Sequence, residues 1–119
     1  MREHKYILKG KKPVRCPDVL KWGKWFEASF QNECRIVAKT KVGRKRVSTV
    51  FLGLDHSFMG KGELLLFETM IFTPTKAKHL LKMGIKEKGE LYARIDTWEN
   101  AEKLHKKCVK QLKRKYVNK

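Results

Sequence analysis

Four ionisable residues stand at the ends of apolar segments or inside them, where a polar side chain needs an explanation: Asp55, His56, Glu68 and His105. A carboxylate beside an imidazole can serve as a general acid/base pair, and the same groups can hold a metal ion weakly. Either chemistry requires that the fold bring Glu68 close to His56. The four residues are therefore candidates for a site, conditional on the elements that position them.

Structural roles account for the same residues without catalysis. Asp55 would cap the turn after an apolar strand, and Glu68 would pair with a buried polar group. The candidate partners of Glu68 are His56 and the indole N–H groups of Trp22, Trp25 and Trp98. The chain contains no close ligand spacing of the H-x-x-x-H or C-x-x-C type, no nucleophile elbow and no phosphate-binding loop. We expect no metal and no cofactor, and a non-catalytic role is favoured over a small enzyme.

The charge balance is the strongest signal in the sequence. The 119 residues include 29 Lys+Arg and 12 Asp+Glu, which gives a formal net charge of +17. Such a field concentrates polyanions, of which nucleic acid is the commonest in cells. Lysine outnumbers arginine and the charges are widely spread, which favours backbone contacts over base reading. Two clusters are the predicted nucleic-acid-binding residues: Lys41, Arg44, Lys45 and Arg46 at a hairpin tip, and Lys106, Lys107, Lys110, Lys113 and Arg114 on a terminal helix.

The same positive charge is compatible with two different roles. A lysine-covered surface also attracts an acidic protein, so an interaction factor that acts on an acidic host partner is the alternative function. The lysines can also be a merely solvated surface. The response of binding to salt and to competitors separates direct nucleic-acid binding from a protein partner.

Length and composition predict one domain spanning residues 1–119. No apolar run approaches the ~20 residues of a membrane-spanning helix, and no signal-peptide pattern follows the first residues, so we expect a cytoplasmic protein with no membrane partner. Cys16, Cys34 and Cys108 are odd in number and far apart, which indicates reduced thiols. Residues 75–89 form a lysine-rich insertion or loop, with room for a short helix that ends near Gly84.

Helical spacing follows Asp18, a predicted N-cap, and places Val19, Trp22, Phe26 and Phe30 on one buried stripe. Residues 5–9 suggest a short strand, and the prolines after it predict an irregular connection. Strands are expected over 34–42, 44–54, 64–72 and 90–95, with a tight turn at Gly43. A terminal helix capped by Thr97 has this buried stripe: Trp98, Ala101, Leu104 or His105, Cys108 and Leu112.

The predicted fold is α+β, with an antiparallel sheet of four to five strands and two main helices on one face. The strands follow one another as a meander through Val37, Phe51 and Phe67, with Tyr92 nearby. The helices pack near Trp22 and Leu104.

Three sequence blocks carry a resemblance to a known group of proteins. They are V-S-T-V-F-L-G-L-D-H at 47–56, L-L-F-E-T-M at 65–70, and T-W followed by Ala101 and His105. They resemble a family of small, uncharacterised phage and prophage proteins. The resemblance covers most of 34–105 and implies a viral or prophage origin, hence the cytoplasm of the host, but no known activity. The sequence thus favours a phage-type accessory protein that binds nucleic acid through a basic surface, in an oligomeric state that it leaves open.

Overall fold

The computed structural model describes residues 4–56 and 64–117. Their elements in chain order are β1 (Tyr6–Lys9), β2 (Lys12–Arg15), α1 (Val19–Asn32), β3 (Ile36–Val42), β4 (Lys45–Phe51), β5 (Phe67–Pro74), α2 (Lys78–Lys82), β6 (Glu87–Ile95) and α3 (Trp98–Val117). Strands β3 to β6 form one antiparallel sheet in the order β3-β4-β5-β6. The predicted α+β meander is confirmed.

Strands β1 and β2 form a separate two-stranded hairpin, so the irregular connection predicted around Pro13 is wrong. Proline lacks a backbone N–H and is tolerated in an edge strand, which is what a two-stranded hairpin offers. This hairpin joins the end of the main sheet, because Tyr6 N donates to Gly53 O at 2.9 Å and Lys5 bridges Leu54.

A two-residue turn at Gly43 and Arg44 connects β3 to β4, as predicted. Gly43 has φ +61°, and Arg44 is not among the residues with positive φ. A positive φ at the first loop position alone is the pattern of a type II′ hairpin turn, in which glycine avoids the strain that a side chain would add.

The two long helices pack on the same face of the sheet. Helix α3 contacts β3, β4, β5 and β6, and it buries Ala101, Cys108 and Leu112. Helix α1 reaches this face through Trp25, whose ring meets Phe51 edge-on at 5.8 Å. The core of this layer contains Phe51 and Phe67, both fully buried.

The helix caps follow the sequence. Asp18 accepts hydrogen bonds from Leu20 N and Lys21 N, and Thr97 Oγ1 accepts one from Asn100 N at 3.1 Å. Such caps satisfy N–H groups that the first helical turn leaves without partners. Of the two alternatives on the α3 stripe, His105 is buried and Leu104 is only partly so.

The predicted buried stripe of α1 is wrong at its two ends. Val19 is 63% exposed and Phe30 is 65% exposed, because the helix extends past the elements that cover its middle. Trp22 and Phe26 form the covered part: their ring centroids are 4.8 Å apart, and both rings lie beside Gly53. A Cβ on Gly53 would lie 3.1 Å from the Phe26 ring, and the φ of Gly53 is +79°. Both the close approach of the ring and the positive φ therefore favour glycine at this position.

The lysine-rich segment 75–89 contains the short helix α2 and the first residues of β6. Gly84 follows α2 with φ +82°, which agrees with the predicted helix end. The last strand begins at Glu87 and not at residue 90, since pairing with β5 extends to Pro74. None of the helices in the described part of the chain combines the length and apolar composition that a membrane span requires.

Candidate functional site: a basic groove beside helix α3

A groove of about 490 Å³ lies between helix α3 and the edge strand β3. Four cationic side chains line it, together with Val109 at its apolar wall and Thr40 and His105. The cations are Lys106, Lys110, Lys113 and Arg114. No carboxylate stands among these lining residues. The groove therefore has a mainly apolar lining that four cationic residues border.

The helix period explains why these cations share one groove. Residues three, four, seven and eight positions apart fall on one side of a helix, and this is the spacing of the four cations from Lys106 onward. Lys107, which was predicted to act with them, is exposed but is not part of the groove lining. Four of the five predicted helix cations are thus brought together.

A buried hydrogen-bonded chain closes the inner end of the groove. His105, 4% exposed, is bonded through Nε2 to Thr40 Oγ1 and through Nδ1 to Thr49 Oγ1, both at 2.8 Å. Thr49 Oγ1 is in turn 2.6 Å from Thr69 Oγ1. The three threonines come from β3, β4 and β5, so one histidine ties α3 to three strands.

The chemistry open to His105 follows from this arrangement. Burial lowers the pKa of His105 below its ordinary value of 6.5, so the imidazole is neutral at pH 7. Both ring nitrogens are already engaged, so His105 could bind a metal or take up a substrate proton only by giving up a bond. Its role in the structure is to hold the helix and the sheet in register.

Glu68 finds a different partner from those predicted. Its Oε2 accepts a hydrogen bond from Arg94 Nε at 2.9 Å, and the two residues are directly opposite on β5 and β6. The prediction that Glu68 pairs with an indole or with His56 is therefore wrong. Trp22 Nε1 is used elsewhere, donating to the carbonyls of Tyr6 and Gly53 at 3.1 Å each.

Asp55 and His56 are held by local hydrogen bonds. Asp55 Oδ1 accepts from Leu65 N at 3.1 Å, which fastens the two ends of the connection between β4 and β5, close to the capping role expected for it. His56 Nδ1 is 2.9 Å from Leu54 O. The four candidate residues thus engage separate partners. Among the described residues, no hydrogen bond or ion pair joins His56 to Glu68, which the acid/base pair would require.

The hairpin-tip cations do not form one patch. Lys41 and Arg46 are cross-strand neighbours on the sheet face away from α3, whereas Lys45 borders a second recess of about 190 Å³ on the far flank of α3. Arg44 is exposed in the turn. Arg46 Nη2 is also committed to Glu87 Oε1 at 2.9 Å. Alternation along a strand separates these side chains, since successive residues point to opposite faces.

Sequence reasoning missed the residues that position the candidate site. Thr40, Thr49 and Thr69 hold His105, Val109 forms the groove wall, and Arg94 neutralises Glu68. The threonines carried a usable signal, because strand alternation places Thr49 and Thr69 on the same face as Phe51 and Phe67. A hydroxyl on an otherwise apolar face needs a partner, and His105 is the polar residue on the helix stripe.

Between residues 4–56 and 64–117, no three His, Cys, Asp or Glu side chains are grouped so that they could hold a metal ion. Cys16, Cys34 and Cys108 are all free thiols, the first and last of them buried.

Comparisons with family models, with curated protein sequences and with solved structures give no significant match to this chain.

Proposed function

We propose that this chain is a non-catalytic accessory protein of phage type that binds nucleic acid, and that the groove beside α3 holds the phosphate backbone. The observation that carries the proposal is the convergence of four cations on one groove whose lining includes no carboxylate. Cations that neutralise phosphates release condensed counterions, and this drives binding without any reading of sequence.

The form of the groove supports backbone binding. Lys106, Lys110 and Lys113 are compact charges on flexible stems, which suit phosphates at variable positions, and Arg114 adds a guanidinium fork for one phosphate. A bound polyanion would also relieve the mutual repulsion of these neighbouring helix cations. The formal net charge of +17 attracts a polyanion and speeds the encounter with it.

The test is fluorescence anisotropy of labelled single-stranded DNA, duplex DNA and RNA at about 50 and 200 mM salt. The variant carries Lys106→Gln, Lys110→Gln, Lys113→Gln and Arg114→Gln. The matched control carries Lys9→Gln, Lys12→Gln, Lys21→Gln and Lys24→Gln, which removes the same charge from exposed positions outside the groove. We expect the groove variant to lose at least tenfold more affinity than the control, with a flatter salt dependence (about one counterion per lost contact).

Two results would contradict the proposal. Equal losses in the two variants would mean that overall charge and not the groove drives binding. Negligible binding at low salt to every nucleic acid would leave the alternative, an acidic protein partner, which a pull-down from host extract with the same two variants would then detect.

A further inference from the structure

The sheet face that points away from α3 is built differently from the groove. Its cross-strand rows are Lys41–Arg46–Phe72–Gly89 and Lys39–Ser48–Met70–Leu91. Both long helices pack on the other face, through residues such as Thr49 and Phe51. The face away from α3 therefore combines lysines at the β3 edge with an apolar centre, and we call it the open face.

A stacked arginine lies on the open face near the turn between β3 and β4. The guanidinium carbon of Arg46 is 4.3 Å from the centre of the Phe72 ring, and Nη2 is held by Glu87 Oε1 at 2.9 Å. The Phe72 ring in turn lies against β6 where Gly89 has no side chain, since a Cβ there would be 3.0 Å from Phe72 Cε1. The guanidinium plane is thus supported from beneath and oriented from one side, while the Arg46 side chain stays 38% exposed.

The surroundings of Arg46 suit an anionic chain that carries flat apolar groups. Leu91 is 45% exposed on the same face, and Met70 lies beside Phe72 above Gly89. Lys39 and Lys41 are exposed at the edge strand, and within residues 4–56 and 64–117 neither is joined to a carboxylate. Two acidic residues of this face, Glu68 and Glu87, are already neutralised by Arg94 and Arg46.

We infer that the open face binds single-stranded nucleic acid, with a base stacked on the outer side of the Arg46 guanidinium and phosphates on Lys39 and Lys41. The inference rests on the proposed nucleic-acid binding and specifies the form of the ligand. Unpaired bases stack on aromatic rings and on guanidinium planes, whereas the base faces of a duplex are closed to such contact. A protein partner would not require a flat, pre-oriented cation beside a row of lysines.

The experiment compares two single strands of about 12 nucleotides, oligothymidylate and an abasic strand of equal length and charge. The ratio of their affinities isolates the contribution of the bases. We expect the unmodified protein to prefer oligothymidylate by about tenfold, which corresponds to stacking of one base or more. Arg46→Lys keeps the charge and removes the guanidinium plane, so the ratio should fall towards one.

The matched control is Arg15→Lys, the same chemical change at an exposed position outside both the open face and the groove, which should leave the ratio unchanged. Phe72→Leu removes the aromatic support and should lower the ratio as well, and thermal unfolding of each variant separates loss of fold from loss of stacking. A ratio near one in the unmodified protein, or a ratio that Arg46→Lys does not change, would overturn the inference.

The outcomes also separate this inference from the proposed function. Equal affinity for the two strands, with binding still lost in the groove variant, contradicts the inference about the open face and supports the proposed role of the groove. A base preference that depends on Arg46, together with equal losses of affinity in the groove variant and its charge-matched control, keeps the open face and overturns the groove. No binding to either strand overturns the open face, and the groove as well if duplex DNA and RNA also fail to bind.

Discussion

Thr40 of β3 and His105 of α3 are joined by a 2.8 Å hydrogen bond at the inner end of the basic groove. This bond links the structural core to the candidate binding surface, because the other ring nitrogen of His105 is bonded to the buried Thr49 hydroxyl. Thr49 is in turn bonded to Thr69. The position of the groove cations on α3 relative to the edge strand therefore depends on a buried polar chain.

Acidification should destabilise the protein through His105. The folded-state pKa of His105 is lowered by burial below the 6.5 of an exposed histidine. Between these two pKa values the unfolded chain binds more protons, so the free energy of unfolding falls as pH falls below about 6.5. Urea unfolding at a series of pH values measures this. His105→Gln should flatten the curve in this range, and the exposed His79→Gln should not; equal effects of the two would contradict the assignment.

Replacing the buried Thr49 should lower the free energy of unfolding more than replacing Thr40 at the groove. Thr49→Val leaves His105 Nδ1 and Thr69 without a partner in the core, which should cost about 1–3 kcal/mol. Thr40→Val leaves Nε2 at the groove, where water can replace the hydroxyl, and should cost under about 1 kcal/mol. Chemical denaturation measures both, and a Thr49→Val, Thr69→Val double variant should be less destabilised than the sum of the single variants. Equal costs at Thr40 and Thr49 would count against the proposed solvent access.

The Glu68–Arg94 pair should contribute to stability and not to catalysis. Its side chains are 17% and 29% exposed, so part of the charge is shielded from solvent. A double-mutant cycle with Glu68→Gln and Arg94→Met should give a coupling of about 1 kcal/mol, weaker at about 1 M salt. Nucleic-acid affinity should change less than twofold in Glu68→Gln. A larger loss with an intact fold would assign Glu68 a direct part in binding.

Substitution of Phe67 and of Phe30 should lower the free energy of unfolding by very different amounts, although both residues occur in amphipathic elements. Phe67 is fully buried between Phe51 and Trp98, so Phe67→Ala should cost about 3–5 kcal/mol. Phe30 is 65% exposed and touches Phe26 and the Arg35 guanidinium, so Phe30→Ala should cost under about 1 kcal/mol. Thermal unfolding of the two variants measures the difference. A large loss at Phe30 would mean that the end of α1 is covered in solution.

The sequence by itself determined the four strands of the main sheet, the two long helices and their order. Period-two and period-3.6 patterns, Asp18 and Thr97 as caps, and Gly43 in the hairpin turn all act within a few residues, so the meander and the two long helices could be predicted. The sequence also grouped five cations of α3 as one predicted cluster, and the groove contains four of them.

Only the tertiary structure decided which side chains meet. Glu68 pairs with Arg94, and His105 bonds Thr40 and Thr49, because cross-strand register and helix docking join residues 26 to 65 positions apart, a separation that no local pattern encodes. The hairpin-tip cations diverge for the same reason, since strand alternation and pairing sent Arg46 to Phe72 on the open face and Lys45 to the far flank of α3.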